Sequence, residues 1–370
     1  MSELDLKVKN ALVKLARALV DQDKAKVLVK PQKNADGFWF GSGNIIEIEP
    51  SNYLLCGRYR NHGDSRTGTG SGTRGLEFSI FQGSSPTGPF IKIRSFSKED
   101  LSRPESYVIS IEGGKLFLGS NGLEMIVSTE KALKYPKLLS DFQKPGTGVW
   151  SIDLISGETV DELNVSKMEE IQSSQDGATL HIKDPVVFKT ANNGTALVYC
   201  SHPFNWSSSN TGLALRTENS DSFELYTHAF IERGASWDVA CTRVTDRLAV
   251  PRLGCLKDLP GLSLYFYDGA ECLRSLDENV KAVSRPRGFS CEELGGLAWG
   301  WDSEFPKIQR LSVDFPLFVS PKGTGCSRYV STLVTKGGIM ASWQQSQPDL
   351  SQPLVGNFLD EKIYKGILTI

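Results

Sequence analysis

The chain has 370 residues, long enough to bury one large core or two smaller ones. Forty-one basic and 43 acidic side chains leave a formal charge of −2, so there is no electrostatic footprint for nucleic acid. No apolar run approaches the ~18 residues of a membrane-spanning helix, and seven cysteines without a Cys-x-x-Cys pair fit a reduced protein better than a disulfide scaffold or a zinc site.

The first residues lack the positive, apolar, small-residue order of a secretory signal. The expectation is therefore a cytoplasmic protein, although a chain starting after a removed signal reads the same. Leu4, Val8, Ala11, Leu12, Leu15 and Leu19 keep helical spacing, with lysines opposite and Asp5 suited to the N-terminus. This predicts an N-terminal helix within residues 1–30 that packs one face on a single body, residues 31–370.

Beyond Lys30 the texture is strand-sized runs and glycine or asparagine turns, with 35 Gly and 17 Pro. Five segments repeat the order strand, turn, strand, turn, strand, starting near residues 44, 106, 184, 243 and 316. Turns are expected at Ser51-Asn52, Gly113-Gly114, Asn193-Gly194 and Gly337-Gly338, and the fifth segment is expected to open with residues 316–320. Radial repetition of small antiparallel sheets protects strand edges. The predicted fold is thus all-β, a five-bladed β-propeller with an N-terminal helix; a pair of β-sandwiches is the competing architecture.

Gly75-Leu-Glu-Phe-Ser-Ile-Phe followed by Ser85-Pro86-Thr-Gly-Pro-Phe90 resembles the blade-closing segment of the five-bladed glycosidases, glycoside hydrolase families 43, 32, 68 and 117 and the related mannoside phosphorylases. Asp184-Pro185-Val-Val-Phe188 is similar to their Asp-Pro inner-strand start. The resemblance covers about three quarters of the chain and implies a carbohydrate-active propeller. One departure stands out: where the arabinanase-like family carries an Asp base or nucleophile in the first blade, this chain reads Gly41-Ser42-Gly43-Asn44.

Glycoside cleavage needs two carboxyl groups facing each other across the scissile bond. In a propeller these come from inner-strand starts of different blades, which read Asn44, Glu105, Asp184, Asp238 and Asp314. Glu105, Asp184 and Asp238 are the catalytic candidates; Asp314, before Phe315-Pro316, reads as a turn residue. Arg58 and Arg74 flank a glycine-rich insertion, residues 61–74, and are candidates for binding a carboxylate or phosphate by a bidentate fork. His202 and Trp206 offer a hydrogen bond and a stacking face, Trp237 another stacking face, and Arg243 a further cation on the fourth inner strand. Trp299 and Trp301, within an expected rim insertion at residues 284–305, are additional platforms.

Other chemistries lack their signatures. There is no GxxxxGK[ST] phosphate loop, no HExxH zinc helix, no strand-to-helix Gly-x-Ser-x-Gly and no repeated Ser-x-Asp-x-Gly-x-Thr-Trp turn. No metal and no cofactor are expected. The reading is a glycoside hydrolase taking a terminal sugar from an oligosaccharide substrate, with no nucleic-acid or membrane partner. An inverting phosphorylase is the alternative enzyme, and a non-catalytic glycan- or protein-binding propeller the alternative outside enzymes. Sugar, linkage and oligomeric state leave no trace in the sequence.

Overall fold

A computed structural model describes residues 3–61, 74–119, 122–143, 146–204, 208–218, 220, 222–272 and 292–369. After helix α1 (Leu6–Leu19) and strand β1 (Lys26–Val29), the chain builds five antiparallel sheets in succession. Blade one holds β2 (Trp39–Gly41) and β3 (Ile45–Glu49), which both pair β4 (Asn52–Arg60), then β5 (Glu77–Gly83) and β6 (Ile91–Ser97). Blade two runs β7 (Val108–Gly119), β8 (Gly122–Lys131), β9 (Val149–Gly157) and β10 (Glu169–Gln172). Blade three is β11 (Lys183–Lys189), β12 (Thr195–Ser201), β13 (Asn210–Arg216) and β14 (Glu224–Ile231). Blade four is β15 (Cys241–Ala249), β16 (Leu262–Ala270), β17 (Leu294–Trp301) and β18 (Gln309–Arg310). Blade five has β19 (Ser327–Thr335), β20 (Gly338–Gln345) and β21 (Leu354–Asp360), and the chain ends in helix α2 (Glu361–Leu368).

The outermost strand of blade five is β1, paired antiparallel with β21. Residues 1–30 are therefore more than a helix laid on the body: they carry the strand that closes the ring. Inner strands meet around the axis, β7 against β4 and β11, β15 against β11 and β19, and β19 against β3. Each gap between neighbouring blades has its own apolar cluster. Phe78 with Met125 fills the first gap, Ile126 with Tyr199 the second, Val186 with Tyr265 the third, Trp299 with Trp343 the fourth and Phe40 with Met340 the fifth. Period-2 strands buried on both faces explain why the apolar runs in the sequence are nearly continuous.

Helix α1 starts where the Asp5 carboxylate accepts from the Lys7 amide (2.7 Å). Its buried face, Val8, Ala11, Leu12, Leu15, Ala16 and Leu19, joins the cluster of Trp299, Trp343 and α2. Burying each large side chain contributes about 1.5–3 kcal/mol. Deleting residues 1–30 removes this face and bares the β21 edge, so the truncated chain is expected to lose cooperative unfolding and to associate. Circular dichroism melts and size-exclusion chromatography check this; a monomer with a sharp transition would show that closure by β1 is dispensable.

Three sequence expectations are corrected here. Gly113-Gly114 is not a hairpin turn: β7 runs through it, with a register irregularity between Ile111 and Gly114. A Cβ on Gly113 would come within 2.2 Å of Ser42 Oγ and 2.9 Å of Asp184 Oδ1, and one on Gly114 would meet the Phe78 ring. Glycine is needed for close approach at the axis, not for a turn. Residues 316–320 do not open blade five; Phe318 makes only an isolated bridge to Gly295, and the inner strand is β19. Finally, the span read as a rim insertion contains β17, and Trp299 and Trp301 are buried in the core rather than presented as platforms. The part of that span before residue 292 lies outside the described residues.

Candidate functional site

Four inner strands break register with their neighbour: β7 between Ile111 and Gly114, β11 between Lys183 and Val186, β15 between Val244 and Asp246, and β19 between Arg328 and Ser331. Bulges re-aim side chains and gather next to active sites. The backbone agrees, because Ser42 (φ 57°), Asp184 (φ 53°) and Tyr329 (φ 56°) occupy the left-handed region in blades one, three and five. Such strain costs on the order of 1–3 kcal/mol per residue and persists only where the surroundings enforce it. Pro185, with no amide hydrogen, fits the break in the β11 ladder directly after Asp184.

These distortions bring together one group of side chains. Arg243, in β15, is the hub. Its Nη1 donates to Asp184 Oδ2 (3.1 Å), its Nη2 to Asp268 Oδ2 (2.8 Å), and Nη2 also contacts Glu293 Oε2 (2.7 Å). Arg328 holds the same Glu293 oxygen at 2.5 Å, and the Arg243 guanidinium lies 4.4 Å from the centre of the Tyr329 ring. Asp184 Oδ2 is further approached by Cys200 Sγ and the Tyr329 hydroxyl, each at 3.5 Å. Asp184 Oδ1, by contrast, is buried without a hydrogen-bond partner among the described residues. It lies in the space that Gly113 leaves open, beside Ser42.

The charges sort by environment. Burial by itself raises Glu293, but Arg243 and Arg328 overrule it and hold the carboxyl well below its ordinary range. Asp268, wholly buried behind Arg243, goes the other way: burial pushes it up to about 7, with Arg243 opposing and Glu293 adding. His202 is buried, its Nδ1 2.9 Å from the Ser208 carbonyl, and burial with Lys183 and His181 nearby pushes it well below its ordinary value. It is thus a neutral imidazole at pH 7. Lys115, in β7, donates to the Gly43 carbonyl (2.8 Å) and feels Asp246, which accepts from the Thr332 amide and hydroxyl.

A second group adjoins through Glu112, one residue before Gly113. Its carboxylate lies 3.9 Å from Arg58 Nη2 and 3.7 Å from Arg74 Nη1, and it accepts from Ser110 Oγ (2.9 Å). Arg74 also pairs with Glu130. Burial opposes ionisation of Glu112, yet Lys183, Arg58, Arg60 and Arg74 together hold it far below the usual carboxylate range.

The sequence candidates therefore divide. Asp184, Arg243, Arg58, Arg74 and His202 stand at or beside the axis. Glu105 does not: it is exposed in a tight turn closed by reciprocal Arg103 and Ser106 hydrogen bonds of 3.1 and 3.0 Å, ahead of β7. Asp238 does not either; it is fully buried against Arg310 Nε (2.8 Å) in the outermost strand β18 and accepts from the Tyr267 hydroxyl (3.1 Å). Trp237 stacks on Tyr267 (5.6 Å, 26°) and donates to the Ser312 carbonyl (3.1 Å), so its face is spent on the core of blade four. Trp206 and residues 62–73 of the glycine-rich insertion lie outside the described residues. Asp238→Asn keeps the acceptor for Tyr267 but loses the ion pair, so a stability loss of about 1–3 kcal/mol with unchanged turnover is expected. Paired urea titrations and activity assays measure both; a collapse of turnover without loss of stability would return Asp238 to the chemistry.

Glu112, Asp268, Glu293, Arg328, Tyr329 and Ser42 were not candidates. Glu112 is hidden by the glycine pair read as a turn, and Glu293 by the insertion ahead of β17. The residue facing the axis is set by the bulge within each inner strand, not by the strand's first residue.

A cavity of about 270 Å³ lies elsewhere, between blades three and four, lined by Thr190, Asn192, Tyr226 and Phe305, none of them axial. Among the described residues no helix is long and apolar enough to cross a membrane. No protein-family model matches the sequence, and no curated protein matches it. Solved structures do match the fold. A glycoside hydrolase superposes with a TM-score of 0.61 at 11% identity, covering 96% of both chains. An α-L-arabinofuranosidase from Lactobacillus brevis gives 0.56 at 10% over 91% of this chain and 93% of that one. A β-1,2-mannobiose phosphorylase from Listeria innocua gives 0.52 at 10% over 92% and 96%. At these identities the likeness is one of fold.

Proposed function

Starting from a five-bladed propeller of the kind seen in glycoside hydrolase structures, we propose that this chain cleaves a glycosidic bond of an oligosaccharide at its axial site. The observation that carries the reading is Asp184: a carboxylate at the axis, in a strained backbone position, with one oxygen anchored on Arg243 and the other bare. The bare Oδ1 is the oxygen with room to carry a proton to a leaving group, and Glu293, kept ionised by two arginines, is its opposite number. Both carboxylates sit on terminal nitrogens of one guanidinium. Their nearest oxygens are therefore no more than about 8 Å apart, inside the ~9.5 Å that a glycosidase carboxyl pair spans. Ser42 takes the first-blade place where a carboxylate was expected from the resemblance, so in this reading blades three and four supply the acids.

A second reading, phosphorolysis, draws support from the cations around Glu112, which suit a phosphate nucleophile. It also agrees with the fold shared with a mannobiose phosphorylase. Incubating the protein with a panel of oligosaccharides, with and without phosphate, tests both. Release of free sugar supports hydrolysis, and sugar phosphate formed only with phosphate supports phosphorolysis. Ligands retained intact by the wild type would make the propeller a binding module instead.

A further inference from the structure

We propose that the part of the axial site between blades one, two and three receives an oxyanion carried by the ligand, the carboxylate of a uronic acid or a phosphate. The proposal rests on the carbohydrate reading above and names the substrate class for the same site. Its first support is a cluster of cations gathered around one buried carboxylate, Glu112. Arg58 and Arg74 lie within 4 Å of Glu112, and Lys183 and Arg60 act on the same carboxylate. Lys98 joins them from the loop after β6; burial and the neighbouring Arg74 both weaken its hold on its proton. Glu112 and Glu130 are interior carboxylates within this cluster, and Glu99 is an exposed one beside Lys98. Glu112 directly precedes Gly113, the residue over which Ser42 and Asp184 close. Lys183, which acts on Glu112, directly precedes Asp184, so the cluster reaches the strand that carries the bare carboxylate oxygen.

The second support is independent of charge counting. Arg58 is 3% exposed, and its Nε has no hydrogen-bond partner among the described residues. A buried guanidinium N–H without an acceptor is unfavourable, and proteins leave few such groups unanswered. The 3.9 Å spacing from Glu112 is an ion pair, not a hydrogen bond, so the Arg58 fork keeps its directional capacity for another planar oxyanion. Carboxylate and phosphate share this chemistry. A neutral sugar hydroxyl satisfies one N–H but cannot match the fork with two charged oxygens.

Calorimetric titration of the full chain separates the sources. The probes are an oligogalacturonate, the same oligosaccharide with its carboxyls reduced to alcohols, and inorganic phosphate, each at low and moderate salt. The acidic oligosaccharide is expected to bind at least ~10-fold tighter than its reduced form, or phosphate to bind by itself and compete with a sugar, because one charge-assisted hydrogen bond is worth that factor. Arg58→Met should erase the preference while Arg58→Lys restores part of it; if Arg58→Met does not fold, the wild-type ratio of acidic to reduced oligosaccharide decides by itself. Equal binding of acidic and reduced oligosaccharides, with no binding of phosphate, overturns the anion proposal and leaves the carbohydrate reading standing. Anion binding without binding or cleavage of any sugar in the panel upholds the anion site and removes the glycosidase reading. No binding of any probe overturns both.

Discussion

Asp184→Asn should lower turnover by on the order of 10³-fold while the protein melts within a few degrees of the wild type. The substitution is well matched to the position. Asparagine is one of the few residues that tolerates the left-handed backbone Asp184 occupies, and it preserves the acceptor facing Cys200 and Tyr329. What disappears is the ability of the bare oxygen to carry a proton. Asp184→Ala would confound the test, since alanine pays for the same φ of 53° without a polar group to hold it. Single-turnover rates on an oligosaccharide cleaved by the wild type provide the measurement. Retained turnover would place Asp184 among the groups that only organise the axis.

The largest structural effect is expected at Arg243. Replacing it with Met leaves Asp184, Asp268 and Glu293 gathered around an uncharged stem, and breaking a buried ionic cluster from one side costs about 3–5 kcal/mol. The loss should depend on pH with a definite sign. Asp268 already binds its proton more tightly than in the unfolded chain, because burial and Glu293 outweigh Arg243. For such a group the native state holds more protons than the unfolded state between the two titration midpoints, so stability falls as pH rises from about 4 towards 7. Without Arg243 that slope should steepen and continue above neutrality, and the variant should recover part of its stability when acidified to about pH 5. Urea unfolding of wild type and variant at pH 5, 6, 7 and 8 gives the comparison. Parallel curves would show that the three carboxylates do not depend on Arg243.

Much of the architecture was legible because propeller blades are local objects. Each strand run, and the hairpins at Ser51-Asn52, Asn193-Gly194 and Gly337-Gly338, depends on neighbours within a few tens of residues, so period and turn chemistry report it directly. Asp184 was legible for the same reason: an Asp-Pro pair ahead of an apolar strand interrupts a ladder in a way the sequence displays. Asp238 and Glu105 were misplaced because position ahead of a strand does not say which blade layer a side chain reaches. Asp238 turns outward to Arg310, 72 residues away, and nothing near it in the chain foretells that partner. Glu112 and Gly113 show the converse. The glycine is required by Ser42 and Asp184, which arrive from two other blades, and a contact of that range is invisible to any local window.

The pairing of β1 with β21 joins residues 26–29 to residues 354–356, almost the whole length of the chain apart. During synthesis the first strand leaves the ribosome long before its partner exists. Blades one to four can form as each hairpin emerges, but the ring remains an open arc with α1 waiting for α2. Completion must therefore wait for β21 and carries a loop-closure term, and the slowest step of folding should be this final zippering. Until it occurs, blade five presents an unpaired edge at β21, and the axial site lacks the fixed geometry that β19 imposes through Arg328 and Tyr329. Maturation of the site and closure of the ring should thus follow a single time course.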